Sequence, residues 1–401
     1  GKRTKEFLPG PQQGTSSGAI YGNPLSNLPS TPYGNEKIYS EKVLENSPLD
    51  RIQQQIQVGN AWNNKPVNFT YGTNTATEVK KYVTTTIWTN NATNSSIIIS
   101  GNFGANQLYK NTVTDEDGSV TIEFKNGEGQ TLLVRKNDGT KDSDTYYVYN
   151  EYNQLAFVVS PEAAAKATIS QTDLDELCYQ YRYDGRGRLV EKKIPGKGLN
   201  PNTAIWNWEL MVYDNQDRLV MTQDANLLTL GQWLFTKYDK FGRVAYTGIT
   251  TDSNSRSGLQ TIFNGKGSNN VERTTTNFAQ SGLLVYYDND AAKNYPNAIT
   301  KLLSVNYFDT YPAGAPTIPT SILSQGVLPQ TGSISTKSLP TASYVNNVEA
   351  DGWTKNYIWY DSKGRTIGTH SINHLGGYTK TESFIDFSGV PQNTNTYHKR
   401  R

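Results

Sequence analysis

The chain has 401 residues, and only 35% of them are hydrophobic, which implies a thin core. Its formal net charge is +2, and lysine and arginine are scattered among acidic residues, so we expect no nucleic-acid-binding surface. No segment approaches the roughly 18 apolar residues of a membrane-spanning helix, so we expect no membrane insertion. Tyrosine, with 26 residues, suits half-buried strands, and the composition therefore favours an all-β protein.

The first segment, residues 1–60, is rich in glycine, proline, serine and asparagine. This composition predicts a loop-rich segment, which we interpret as continuing an upstream repeat. Residues 50–57 within it are predicted to form a short helix. From residue 61 to 249, apolar and polar residues alternate as they do in half-buried strands, which predicts a β-strip.

One helical insertion is predicted in this strip, near residues 160–178. Ser160 precedes Pro161, and serine at the N-cap followed by proline at the first helical position is a typical helix start. A second short helix is predicted at residues 172–178. The insertion therefore lies between two strands of the repeat.

The remainder of the chain divides into two predicted segments. Residues 250–350 have few regular patterns and are predicted to be a loop-rich excursion with isolated strands at 283–287 and 302–308. Residues 351–401 return to the pattern of the strip and are interpreted as further repeats, truncated at the end.

A motif of the form Tyr-Asp-x-x-Gly-Arg recurs along the chain. It is complete in three copies, and in a fourth copy Asp217 replaces the glycine. The motif residues are Tyr183, Asp184, Gly187 and Arg188; Tyr213, Asp214 and Arg218; Tyr238, Asp239, Gly242 and Arg243; and Tyr360, Asp361, Gly364 and Arg365. Weaker copies begin at Asn126, Asn150 and Asp386. Repetition at intervals of tens of residues is typical of repeat architectures.

Each copy has the chemistry of a tight hairpin turn. Aspartate at the first turn position accepts hydrogen bonds from backbone amides, and glycine adopts the positive φ that closes a three-residue loop. Turns are therefore predicted at 184–187, 239–242 and 361–364. The arginine is expected to pair with the aspartate or to lie over a tyrosine ring. If that pair is exposed it contributes about 0–1 kcal/mol, so the glycines are expected to matter more for stability.

These motifs resemble the RHS or YD-repeat family, which includes the YD shells of teneurins. Residues 39–43, 177–188 and 217–224 are similar to RHS proteins of the Bacteroidota type. The resemblance implies a spiral of β-hairpins that forms part of a hollow shell. It also implies a structural segment of a secreted or cell-surface protein, which encloses or displays a variable, toxin-like effector domain. The implied partners are the rest of the same longer chain and an export machinery such as a type IX secretion translocon.

The resemblance is incomplete in three respects. The C-terminal core motif of the family, with its aspartate-dependent self-cleavage, has no match in this sequence, and no effector domain follows. Both ends fall inside a repeat, at residues 1–3 and soon after 386–390, so the chain is interpreted as an internal fragment. We therefore expect that it does not fold as an independent monomer.

Motifs for catalysis or metal binding are weak. Residues 14–18 match the spacing of a nucleophile elbow but lie in a loop-like stretch. His370 and His374 would share one face of a strand, although the glutamate of a zinc-protease helix is missing. Residues 115–118 are interpreted as a hairpin turn rather than half of a calcium loop. Cys178 is interpreted as a buried apolar residue. We expect no enzyme activity, catalytic residue, cofactor or metal.

Two other functions are considered. A surface adhesin or glycan-binding scaffold would use exposed tyrosine and tryptophan side chains of residues 250–350. A β-propeller or β-helix hydrolase would need convergent acids or a nucleophile, which the sequence does not indicate. Six tryptophans are candidates for a binding surface only if they are exposed, and core packing is expected instead: Trp88, Trp206, Trp208, Trp233, Trp353 and Trp359.

Overall fold

The computed structural model of the protein describes residues 4–9, 29, 32–196, 208–349 and 352–400. The chain divides into two compact units, Gly1–Trp206 and Asn207–Arg401. Each unit is built around an antiparallel sheet in which hairpins follow one another along the chain. This confirms the predicted all-β class. The domain boundaries proposed at residues 60, 249 and 350 stay predictions.

In the first unit, the main sheet pairs its strands in chain order, apart from one separate hairpin, β5–β6. The strands are β1 (Lys5–Phe7), β2 (Tyr39–Leu44), β3 (Ile52–Ile56), β4 (Val67–Thr73), β5 (Lys80–Thr89), β6 (Ala92–Asn102), β7 (Tyr109–Thr114), β8 (Val120–Lys125), β9 (Thr131–Asn137), β10 (Asp142–Tyr149), β11 (Leu155–Val159), β12 (Cys178–Tyr183) and β13 (Leu189–Lys193). Its helical turns are a short 3-10 helix (Asn60–Trp62), α1 (Pro161–Ala164) and α2 (Gln171–Leu177).

The second unit repeats this arrangement, with β18–β19 and β21–β22 as separate hairpins beside the main sheet. The strands are β14 (Trp208–Tyr213), β15 (Leu219–Gln223), β16 (Gln232–Tyr238), β17 (Val244–Thr251), β18 (Arg273–Gln280), β19 (Leu283–Tyr287), β20 (Lys301–Phe308), β21 (Ser321–Ile322), β22 (Gln325–Gly326), β23 (Pro340–Asn347), β24 (Gly352–Tyr360), β25 (Thr366–Ile372), β26 (Tyr378–Ile385) and β27 (Pro391–Lys399). Its helices are α3 (Ala225–Thr229) and α4 (Arg256–Asn264).

The helical insertion between β11 and β12 agrees with its sequence signals. The Ser160 hydroxyl caps α1 by accepting from the backbone N–H of Ala163, and Pro161 occupies the first turn. At α2, Ser170 and Asp173 cap each other reciprocally. These local bonds satisfy backbone donors that a helix leaves free at its start. The prediction of two short helices in this insertion is therefore confirmed.

Three expectations about secondary structure were wrong. Residues 50–57 contain strand β3 (Ile52–Ile56) and no helix: Ile52 and Ile56 lie four residues apart, on one face of a strand that pairs with β2 and β4. The strand at 302–308 is not isolated, since β20 joins β17 and β23 in the main sheet. Helices were expected only in the insertion near residues 160–178, but the second unit contains two more, α3 and α4.

Helix α4 was missed because its propensity is poor and its stability comes from packing. Gly258 stands in its first turn, where a glycine is unfavourable by about 1 kcal/mol relative to alanine. Leu259 and Phe263, four residues apart, are fully buried and join the core of the second unit. That core also contains Trp233 and Tyr246 from the hairpin β16–β17.

Candidate functional site: the repeated turn clamp

The repeated turn positions its aspartate as an internal hydrogen-bond acceptor. In the copy at Asp214, one carboxylate oxygen accepts from the backbone N–H groups of Gln216 and Arg218, at 2.9 and 3.0 Å. The other oxygen accepts from Arg218 Nε at 2.8 Å. Asp214 is completely buried. Since a buried carboxylate is unfavourable unless it is paired and hydrogen-bonded, these contacts are what make the position tolerable.

The predicted hairpin turns are all present. Gly187, Gly242 and Gly364 have φ values of 76°, 77° and 76°, and the backbone N–H of each donates to the carbonyl of its turn aspartate. Asp217 and Asn153 replace glycine in two copies and also adopt positive φ, at 59°. Aspartate and asparagine tolerate this region better than other residues with a Cβ atom.

The weaker copies keep the geometry with a neutral pair. Asn126 and Asn150 accept from the same two backbone amides as the aspartates do. Their side-chain amides donate to Gln130 at 2.7 Å and to Gln154 at 3.0 Å, in the place of the arginine. Asparagine–glutamine thus replaces aspartate–arginine as a unit, and the turn is retained without either charge.

After each turn, the second strand carries a β-bulge at the same position. The register shifts at the motif tyrosine, which ends the first strand, and one residue of the second strand is left without a paired partner. The shift occurs at Tyr183, Tyr213, Tyr238 and Tyr360. The residues at this position are all buried: Val190, Val220, Ala245 and Ile367. Bulges increase twist and redirect side chains. The repeat therefore places one apolar side chain per hairpin in the core.

The motif arginine also binds the following hairpin. Arg218 Nη1 donates to the backbone carbonyl of Asp239, the first residue of the next turn, at 3.3 Å. Its guanidinium lies 4.7 Å from the ring centroid of Tyr238, and the Tyr238 hydroxyl donates to the carbonyl of Leu219 at 2.8 Å. We call this arrangement of Asp214, Arg218 and Tyr238 the turn clamp. Arg218 bonds from its own hairpin to the following one, and Tyr238 bonds from the following hairpin back to the first.

The arginine bonds of the clamp recur in other copies. Arg365 contacts Asp361 and donates to the carbonyl of Asp386 at 3.1 Å. Arg243 pairs with Asp239 and with Asp309 of the next hairpin, at 2.6 and 2.7 Å. The hydrogen bond from Arg243 holds the pKa of Asp309 below its usual range.

The tyrosine half of the clamp is equally regular. The hydroxyls of Tyr183 and Tyr360 donate to the carbonyls of Leu155 and Pro340, at 2.9 and 2.6 Å. Each carbonyl belongs to the first residue of the second strand in the preceding hairpin. The tyrosine of the motif thus acts between hairpins rather than within its own turn.

One copy of the clamp was not predicted from the sequence. Arg51 pairs with Glu45 and lies 4.5 Å from the ring centroid of Tyr71, whose hydroxyl donates to the carbonyl of Ile52 at 2.9 Å. The acid is glutamate and stands six residues before the arginine instead of four. A search for an acid, an arginine and a tyrosine in the next hairpin, with free spacing, would have found it.

The expectation that the turn arginines form exposed pairs was wrong. Arg218 has a side-chain exposure of 15% and Arg243 of 22%, and each contacts two hairpins. A hydrogen bond to a charged group contributes about 1.5–3 kcal/mol, more than an exposed ion pair. Because of these bonds, we expect the turn arginines to contribute more to stability than the turn glycines, the opposite of the sequence-based expectation.

We expect Arg243→Ala to lower the free energy of unfolding by about 2 kcal/mol, because two carboxylates lose their partner. Gly242→Ala should cost about 1 kcal/mol, since its added Cβ meets open space and only the positive φ is unfavourable. Urea unfolding of both variants tests this. A larger loss from the glycine variant would show that the arginine bonds contribute little.

The other candidate residues do not converge on a chemical centre. The pattern at residues 14–18 and Trp206 lie outside the described residues. His370, in β25, packs between Trp359 and Tyr378, whereas His374 follows the end of that strand. Residues 115–118 form the expected hairpin turn. In the described part of the chain, no group of three His, Cys, Asp or Glu side chains is arranged to hold a metal ion.

The tryptophans are mostly core residues. Trp233, Trp353 and Trp359 are buried, Trp208 is half-buried, and Trp88 is half exposed. The stretches that the structure describes include no helix long and apolar enough to cross a membrane.

Cys178 is buried and unbridged, as predicted. Burial raises the pKa of its thiol to about 11. Because the thiolate is the reactive form, we expect no alkylation of the folded protein near pH 8 and complete alkylation after unfolding. Mass spectrometry after brief iodoacetamide treatment, with and without urea, measures this. Rapid labelling of the folded protein would contradict the burial.

Comparison with known proteins gives limited matches. Residues 1–75 match the family model described as "Domain of unknown function (DUF6443)". The comparison with curated proteins found no similar sequence. Among solved structures, the chain is similar to TcdB2-TccC3, with 9% identity, a TM-score of 0.37, and coverage of 91% of this chain and 17% of that one. A form without the hypervariable C-terminal region gives 10% identity, a TM-score of 0.32, and coverage of 87% and 16%. At such TM-scores the likeness decides nothing about this chain.

Proposed function

We propose that this chain is a structural segment of an RHS-repeat wall, whose role is containment or display rather than catalysis. The turn clamp carries the proposal. It recurs in both units, and it places the charged residues of the repeat in bonds between neighbouring hairpins. A repeat protein gains its stability from such contacts between neighbours, so the motif serves to extend a sheet hairpin by hairpin.

The enclosed or displayed group in this proposal is a variable, toxin-like domain of the same longer chain. The family resemblance of the Tyr-Asp-x-x-Gly-Arg motif supports it. A wall whose hairpins are bonded to their neighbours is suited to this task, because it resists opening between hairpins.

Limited proteolysis of the natural full-length protein tests containment. We expect segments outside the repeats to resist protease until urea opens the sheet. In a variant with Arg218→Ala and Arg365→Ala, protection should be lost at a lower urea concentration, because the arginine bonds between two pairs of hairpins are missing. If those segments are digested without urea as fast as an isolated copy of them, the chain does not enclose them.

We also propose that the protein is exported, to the medium or the cell surface, with a type IX secretion translocon as the export partner. The resemblance to RHS proteins of the Bacteroidota type supports this. Fractionation of the native organism, with and without a disrupted translocon, is the test. Retention of the protein in the cytoplasm of untreated cells would contradict it.

The structure offers no observation that favours the adhesin alternative. That alternative required exposed tyrosine or tryptophan side chains in residues 250–350. In the described part of this segment, the exposed large hydrophobic side chains are aliphatic: Leu284, Ile334, Val345 and Val348.

A further inference from the structure

A lysine occupies a core position of the second unit. Strand β16 alternates inward and outward, and its inward row consists of Trp233, Phe235 and Lys237. Lys237 is completely buried, and its Nζ lies 2.8 Å from Oδ1 of Asn294. Lysine is almost never fully buried without a charged partner, so this position calls for an explanation.

Asn294 is the matching half of the pair. It is also completely buried, and within the described part of the chain its Nδ2 has no hydrogen-bond partner. The next residue, Tyr295, packs edge-on against Phe263 of the core at 5.7 Å. The carboxamide oxygen of Asn294 therefore contacts the amine of Lys237, while no described residue binds the carboxamide nitrogen. A buried amide group without a hydrogen-bond partner is unfavourable.

The surroundings favour a neutral amine. Burial lowers the pKa of Lys237 well below its usual range, and Lys266 acts in the same direction. A desolvated, neutral lysine is a nucleophile. The charge of Asp288 acts on the pKa of Lys237 in the opposite direction, but less than burial does, and burial raises the pKa of the Asp288 carboxyl group itself. Its backbone carbonyl accepts from the hydroxyl of Tyr246, the residue directly opposite Lys237 in the β16–β17 pair.

We propose that Lys237 and Asn294 form an intramolecular isopeptide bond. The neutral Nζ attacks Cγ of Asn294, forming a C–N bond and a tetrahedral intermediate. The proton that Nζ loses passes to Nδ2. The bond between Cγ and Nδ2 then breaks, and ammonia leaves. No atom changes oxidation state and no co-reactant is required.

The bond would connect two parts of the chain that are 57 residues apart, strand β16 and the segment between β19 and β20. That connection is covalent, whereas the turn clamps are not. It would prevent the insertion of α4 and β18–β19 from separating from the main sheet when the protein is stretched or heated. A cross-link stabilises mainly by restricting the unfolded chain.

Another buried lysine provides an internal control. Lys193 is equally buried, but its Nζ lies 2.6 Å from the carboxylate of Asp175. A carboxylate is negatively charged and resists nucleophilic attack. The same argument that assigns a covalent bond to Lys237 therefore assigns none to Lys193, whose amine is expected to stay in its ion pair with Asp175.

Intact mass and peptide mapping of the full natural chain test the bond. We expect a mass below that of the sequence by one ammonia, no tryptic cleavage after Lys237, and a branched peptide that joins Lys237 to Asn294. Cleavage after Lys193 should be normal. Lys237→Met, which keeps an apolar stem, and Asn294→Ala should each restore the sequence mass.

Two results would overturn the proposal. The first is a wild-type chain with the full sequence mass and ordinary cleavage after Lys237. The second is the loss of ammonia in a linear peptide, which would indicate a succinimide at Asn294 instead.

Discussion

Replacement of Asp214 by alanine is expected to lower the free energy of unfolding by about 3–5 kcal/mol. The carboxylate is completely buried, and its removal leaves the guanidinium of Arg218 without its charged partner inside the turn. Two backbone N–H groups lose their acceptor at the same time. Equilibrium unfolding in urea, followed by tyrosine and tryptophan fluorescence, measures the change.

Asp386→Ala is the matched control for this prediction. Asp386 forms the same turn in the same unit, but Val390 stands where the arginine would be, and the aspartate is only half-buried. We expect a clearly smaller loss in the free energy of unfolding than for Asp214→Ala, because only ordinary hydrogen bonds are removed. Equal losses for the two variants would show that the turn bonds matter and the clamp does not.

Gly248→Val should be destabilising by about 3 kcal/mol or more, because the core has no room for the added atoms. A Cβ at Gly248 would lie 2.6 Å from the carbonyl oxygen of Lys301 and 2.7 Å from the ring of Phe235. Both neighbours are fixed, one by the pairing of β17 with β20 and the other by the core. Valine itself is a favourable strand residue, so any loss reports on packing.

Gly326→Val, in the two-residue strand β22, is the control, since its Cβ would meet nothing within 4 Å. It should change the midpoint of unfolding little. If Gly248→Val behaves in the same way, the approach of β17 to β20 is looser than the structure shows.

Much of the repeat could be predicted from the sequence because its bonds are local. The carboxylate of Asp184 reaches backbone amides two and four residues on, and Gly187 supplies the positive φ that the loop requires. The caps at Ser160 and Ser170 are local in the same sense. Side chain and backbone partners that are a few residues apart meet whatever the rest of the chain does.

The tertiary structure alone decided what lies between hairpins. Arg218 finds Asp239 and Tyr238 in the following hairpin, and the Tyr238 hydroxyl reaches a carbonyl 19 residues away. Lys237 meets Asn294 across 57 residues. Neither partner follows from spacing, because the order and register of paired strands determine which side chains become neighbours. The burial that makes the turn ion pairs strong, and lowers the pKa of Lys237, exists only after those strands have assembled.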